Sequence, residues 1–319
     1  MTPTRTPLDE ASRPLVLLDG MPYGMALEGW IHGLLSADPR RGPALVRLAE
    51  LLRPIDPIRA LEVVAEAEAA GADPQRVAAV TCAAYLETNQ PDAAEPFLVG
   101  LPYGPARDLL EARYALLKNR VAEGRTTLDL LIETPGVPAE ILAEALSFRA
   151  RARPEAGVEG SLADLERLET LCIAQRWTLT GIWLGVVKGV VRSQGWAKLG
   201  QLATSFDLVT LLDETLRGVD LPATLGPVPP WVHAAAVKHR AAPQKLVETL
   251  VLLGALLWKI GREDDAYRTV TLGAGIARRL AGPRAGDDLD AFLAVLRKHA
   301  GESKWAELHA RLMGETGGT

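Results

Sequence analysis

The stretch VTCAAYLETNQPDAAEPFLVGL, residues 80–101, decides how the chain is read. Apolar residues at helical spacing, Cys82 and Tyr85 among them, run up to Asn89. Pro91 then lets the pattern restart with Ala94 and Leu98. The spacing predicts one helix over 75–89 and another over 91–100, joined so tightly that they must be antiparallel neighbours. The pattern recurs along the chain. Leu51, Ala60 and Val64 lie 34 residues before Tyr85, Ala94 and Leu98, while Asn119, Gly124 and Leu128 follow Asn89, Ala94 and Leu98 by 30. Near the C-terminus Leu253-Gly254, Leu257, Gly261-Arg262, Ala266, Val270 and Gly273 keep the same internal spacing.

A small residue in each helix lets two antiparallel helices approach closely, and a Gly or Asn makes the turn between them. Each pair keeps one apolar face that only the next pair can cover, so hairpins of this kind stack. Further helices are predicted over 104–119, 121–133, 138–152, 162–176, 178–194, 197–217, 231–260 (bent or broken at Pro243), 262–281, 287–299 and 302–313. At the turn Gly71-Ala-Asp-Pro74 the glycine ends one helix, Asp73 caps the next and Pro74 fills its first turn. No segment alternates with period two. The expected fold is all-α, an α-solenoid of antiparallel helix hairpins with a less regular central helical block. Its parts are an extended N-terminal segment (1–42), N-terminal repeats (43–153), the central block (161–217), a C-terminal repeat region (231–313) and a flexible tail (314–319). A linker at 153–161 and the proline-rich break Gly218 to Pro230 separate them.

Composition narrows the class. Of 319 residues 48% are hydrophobic and only 5% aromatic, which excludes wholesale disorder and disfavours a sandwich or barrel. A net charge of −5 argues against a nucleic-acid coat. Cys82 and Cys172, ninety residues apart, form neither a metal-ligand spacing nor a disulfide framework, as expected of small core side chains in a reducing cytoplasm. The start Met-Thr-Pro-Thr-Arg-Thr-Pro lacks the apolar core of a secretory signal. The apolar runs 177–191 and 246–260 are interrupted by Lys188 and by Glu248 and Lys259, so no membrane span is expected.

Residues 247–280, with the Leu-Gly pair, the turn glycine Gly261 and Ala266, resemble a tetratricopeptide repeat. Residues 75–101 resemble it through Cys82, Tyr85, Asn89, Ala94 and Leu98, although Thr81 replaces a large apolar residue and Pro96 is unusual inside a second helix. Residues 41–67 and 105–131 fit more loosely, 162–217 does not fit, and the resemblance covers about half the chain. It implies a concave wall formed by the first helices of the hairpins. On the matching positions that wall would carry Arg76, Ala83 and Glu87, then Leu109, Arg113, Leu116, Leu117 and Arg120, then Val251, Ala255, Trp258 and Lys259. Arginine forks and a rigid tryptophan suit an amphipathic, partly acidic segment of another protein. The bland alternative is that Arg113 and Arg120 pair with Glu111 or Glu123 on a solvated surface. Ala79, Ala83, Leu109, Leu110 and Arg113 lack the paired Asn and Lys of the carboxylate clamp found in some relatives, so chaperone tails are not expected partners.

Other chemistry finds little footing. Asp287-Asp288-Leu-Asp290 is similar to the magnesium-holding clusters of all-α prenyl-transferring enzymes, but no second cluster answers it, and acids suit a first helical turn. The five histidines never pair at i,i+4, and neither phosphate-loop nor triad motifs occur; no metal or cofactor is expected. Gly181, Gly185 and Gly189 form a stripe on one helix, expected to mark close helix packing or a subunit interface, since glycine costs about 1 kcal/mol in a helix interior. The basic clusters at Arg149, Arg151 and Arg153, and at Lys238, His239, Arg240 and Lys245, read as solvated faces; nucleic acid is not an expected partner. The expected role is a non-catalytic cytoplasmic adaptor that recruits a protein or assembles with itself. The alternatives are a regulatory module akin to the helical-repeat sensor arms of bacterial transcription activators, and, third, a helical magnesium enzyme.

Overall fold

The computed structural model describes residues 37–152, 157–194, 209 and 229–316, and every regular element among them is helical. They form two compact units, 37–194 with Val209, and 229–316.

In the first unit the helices are α1 (Arg41–Leu52), α2 (Pro57–Ala69), α3 (Pro74–Glu87), α4 (Pro91–Gly100), α5 (Pro105–Leu117), α6 (Val121–Glu133), α7 (Ala139–Arg151), α8 (Gly157–Ala174) and α9 (Thr178–Gln194). Proline opens α2 to α5, where the missing N–H has no intrahelical partner to lose. Asp56 and Asp73 cap α2 and α3 by accepting from the N–H of Arg59 (3.1 Å) and of Gln75 (3.2 Å).

Four of the turns share one geometry. Gly71, Asn89, Asn119 and Arg176 stand at φ 75°, 58°, 58° and 59°. After each, the next N–H returns to the carbonyl five residues back: Ala72 to Ala67 (3.0 Å), Gln90 to Tyr85 (2.9 Å), Arg120 to Ala115 (2.8 Å) and Trp177 to Cys172 (2.8 Å). A single left-handed residue thus closes the helix and satisfies one of its end carbonyls. The α8–α9 turn belongs to this set although the sequence of the central block does not follow the repeat.

Consecutive helices pack on one another from α1 to α9, and α1, α3, α5 and α7 also touch in succession. Gly124 shows how close a pair comes: a β-carbon there would stand 2.8 Å from Leu116 Cγ and 2.9 Å from the Ala112 carbonyl oxygen. Cys82, Leu86, Ala94, Leu98, Leu101 and Leu110 pack into one cluster, with Tyr85, Phe97 and Tyr114 against it. Both cysteines are buried and unbridged.

The second unit holds α10 (Pro230–Lys238), α11 (Pro243–Lys259), α12 (Glu263–Ala281), a 3-10 turn (Pro283–Gly286), α13 (Asp287–Ala300) and α14 (Glu302–Thr316). The α11–α12 turn repeats the left-handed closure at Gly261 (φ 80°), with Arg262 N–H on the Leu257 carbonyl at 2.9 Å. Gly254 and Gly273 let these two helices meet; a β-carbon on either would lie 2.6 Å from Val270 Cγ2 or Leu250 Cδ1. Trp231 Nε1 donates to Thr269 Oγ1 at 2.9 Å and ties α10 to α12.

Several expected boundaries move. Residues 157–161 of the expected linker are the first turn of α8, and α7 packs on α8 within one unit. The chain divides between 194 and 229, an interval that holds all but the end of the Gly218–Pro230 break, whose Pro230 opens α10. Arg41 and Gly42 are helical, as are 314–316 of the expected tail, and Pro243 separates two helices. The helix expected over 197–217 and the segment 1–36 lie outside the described residues, apart from Val209. No helix among the described residues is long and apolar enough to cross a membrane.

Candidate functional site

The turns set the site. Because each returns the chain antiparallel, the odd-numbered helices α1, α3, α5 and α7 stand side by side and bring residues far apart in sequence together. Arg113 is the centre of this group. Its Nη2 donates to Glu87 Oε1 at 2.6 Å, and its guanidinium lies over the Phe148 ring, 4.7 Å from the centroid. Arg53, at the end of α1, reaches the same Glu87 oxygen (3.5 Å) and Glu144 on α7 (3.5 Å). Arg151 lies 4.4 Å from the Phe148 centroid. Four helices therefore meet through alternating charges around one aromatic ring.

Arg113 is only 5% exposed, and its Nη1 is buried with no hydrogen-bond partner among the described residues. Leaving a guanidinium nitrogen dry and unmatched is costly, because its hydration is lost without replacement. The register explains why it fits. Arg113 follows Ala83 by 30 residues and Ala49 by 64, and both alanines are buried on the preceding odd-numbered helices. Where those helices carry a methyl group, α5 carries a guanidinium. Nearby, burial pushes the Cys82 thiol up to about 11, with Arg113 opposing the shift, which leaves it protonated and unreactive at neutral pH.

The expected wall residues divide between the two units. Arg76 pairs with Glu50 across α3 and α1 at 2.7 Å, and Glu87 and Arg113 pair with each other. Arg120 pairs with Glu123 (3.0 Å) and lies over Tyr114, the solvated arrangement weighed above, whereas Arg113 is buried and takes Glu87 rather than Glu111. Leu117 is 39% exposed at the end of α5. Trp258 and Lys259 belong to the second unit. There Lys259 is exposed, while Trp258 is half-buried against Tyr267, Leu308 and Trp305.

The glycine stripe makes no close approach among the described residues. A β-carbon at Gly181 would meet Cys172 Cβ at 3.8 Å, at Gly185 the Glu169 carboxylate at 3.8 Å, and at Gly189 nothing within 4 Å. Those are ordinary distances, so close helix packing does not require glycine there. Arg149, expected on a solvated face, is buried on Asp164 and Asp129. His239 is likewise buried, beside Thr249. Asp287, Asp288 and Asp290 open α13, with Asp290 on Arg278, and no group of three potential metal ligands occurs among the described residues. A cavity of about 280 Å³ at the start of α8, lined by Val158, Glu159, Leu162, Ala163, Glu166 and Arg192, contains none of the expected site residues.

Sequence reasoning missed Arg53, Glu144 and Phe148. Arg53 stands 34 residues before Glu87, the step that relates α1 to α3, and that displacement was the available signal. Nothing in the sequence singles out Glu144 or Phe148. Compared with known proteins, the chain matches no family model, no curated protein and no solved structure.

Proposed function

We propose that the chain is a non-catalytic protein-binding scaffold, an α-solenoid of tetratricopeptide-like hairpins whose odd-numbered helices form a concave wall for an amphipathic, partly acidic segment of another protein. One observation carries the reading: Arg53, Glu87, Arg113, Glu144 and Phe148 converge from four helices, with Arg113 sealed and Arg53, Glu87, Glu144 and Phe148 partly exposed. A carboxylate supplied by a partner would reach the part-exposed Arg53 with a charge-assisted hydrogen bond, and Phe148 and Leu117 would offer apolar area. The four-helix origin of the wall favours an extended contact over a small-molecule pocket.

The test is to pan a phage-displayed library of twelve-residue peptides on the immobilised full-length chain. The reading expects recovered peptides that combine Asp or Glu with apolar residues, and loss of their binding to the Arg53→Met chain with its helical signal intact. Peptides without acidic residues, or equal binding to that variant, would contradict it.

A further inference from the structure

The second unit ends in a helix separated from the rest by one residue. Helix α13 stops at Ala300, α14 starts at Glu302, and only Gly301, at φ 83°, turns the chain between them. That conformation is open to glycine and strained for other L residues. Were Gly301 to take helical angles, α13 and α14 would become one continuous helix and α14 would leave its seat.

The seat is specific. Tyr267 and Leu308 are buried together, with Trp258, Leu293 and Trp305 around them. Tyr267 meets the Trp305 ring edge-on at 4.7 Å, and its hydroxyl is 2.6 Å from His309 Nδ1. Lys304 pairs with Glu263, and α14 packs chiefly on α12 and α13, with Trp258 of α11 against the same cluster. The seat thus receives an amphipathic helix bearing Trp, Leu and His at positions i, i+3 and i+4, which is α14 itself.

We propose that this seat is a docking surface for α14 of a second copy of the chain, with Gly301 as the hinge: straightening at Gly301 projects α14 from its own unit into the vacated seat of the partner. The exchanged contacts are those of the monomer, so the dimer differs from it chiefly in the hinge and in association entropy. This inference does not depend on the scaffold reading of the first unit.

The experiment measures the mass of the full-length protein by light scattering across a concentration series. Gly301→Ala, whose methyl disfavours the turned hinge, should tighten dimerisation by about tenfold. Gly301→Asn should tighten it as well, because φ 83° with ψ 154° lies outside the left-handed well that asparagine tolerates. Adding Leu308→Asp to Gly301→Ala should return the monomer. A monomeric Gly301→Ala chain, a dimer that survives Leu308→Asp, or a loss of helical signal in Gly301→Ala would each overturn the proposal; the last would show that α14 has no second seat to take.

Discussion

Arg149 on α7 grips Asp164 on α8 with two nitrogens, Nε at 3.1 Å and Nη2 at 2.5 Å, and its Nη1 reaches Asp129 at 2.8 Å. The pair is buried, at 7% and 2% side-chain exposure, and Ser161 Oγ beside it donates to the Ala150 carbonyl at 2.7 Å. Helix α8, whose first turn lies in the expected linker, is thus fixed to α7 by charge. Removing one partner leaves the other charge buried and uncompensated, so Arg149→Met or Asp164→Asn should each cost about 3–5 kcal/mol in urea denaturation. The double variant Arg149→Met with Asp164→Leu should recover much of that loss. Additive losses would show that the two residues do not act as a pair.

The wall arginines should separate in a denaturation series. Arg120→Glu alters an exposed ion pair and should change stability by less than about 1 kcal/mol. Arg113→Glu sets a second carboxylate against Glu87 in a buried site and should cost about 3 kcal/mol or more. Equal effects would place Arg113 at the surface.

Two glycines should respond to alanine with opposite signs. At Gly124 the added methyl meets the Ala112 carbonyl oxygen at 2.9 Å, so α6 must shift, a loss of about 1–3 kcal/mol. At Gly189 nothing stands within 4 Å, and the gain in helix propensity should stabilise by about 0.5–1 kcal/mol. Thermal melts of the two variants, moving in opposite directions, check both.

Arg176 holds a left-handed conformation at φ 59° that most side chains avoid. Arg176→Gly should raise stability by about 1 kcal/mol, and Asn89→Ala should lower it by a similar amount. A destabilised Arg176→Gly would mean that the arginine side chain supports the turn in some other way.

His239 should make the protein sensitive to mild acid. Burial, together with Lys238 and Lys245, pushes its imidazole down to about 4, while Thr249 Oγ1 lies 3.1 Å from Nε2. The unfolded chain binds a proton near pH 6.5 and the folded chain only near 4. The stability contributed is therefore complete above about pH 6.5 and is lost as pH falls to about 4, up to roughly 3 kcal/mol. His239→Gln should flatten the pH dependence of urea midpoints over that window. An unchanged slope would assign it to other groups.

Much of the architecture was legible in single residues. Pro74 and Pro91 announce helix starts because their ring fixes φ and their missing N–H costs nothing in a first turn. Gly71, Asn89, Asn119 and Gly261 announce helix ends because they tolerate left-handed φ. Arg176 escaped notice because its side chain carries no such signature, and the helical start of α8 escaped because Gly157 and Gly160 look like breakers. The wall was legible only in part: Arg113 and Glu87 stood out by register, whereas Phe148 and Glu144 did not.

The local order of helices and turns was therefore written in the sequence, since caps, turns and apolar spacing act between residues a few positions apart. Which charges ended up buried was decided by tertiary structure alone. Arg113 and Arg120 lie seven residues apart on similar stretches, yet one is sealed against Glu87 and Phe148 and the other stays in water. Desolvation depends on what the neighbouring helices place overhead, and that depends on the summed geometry of every turn before them.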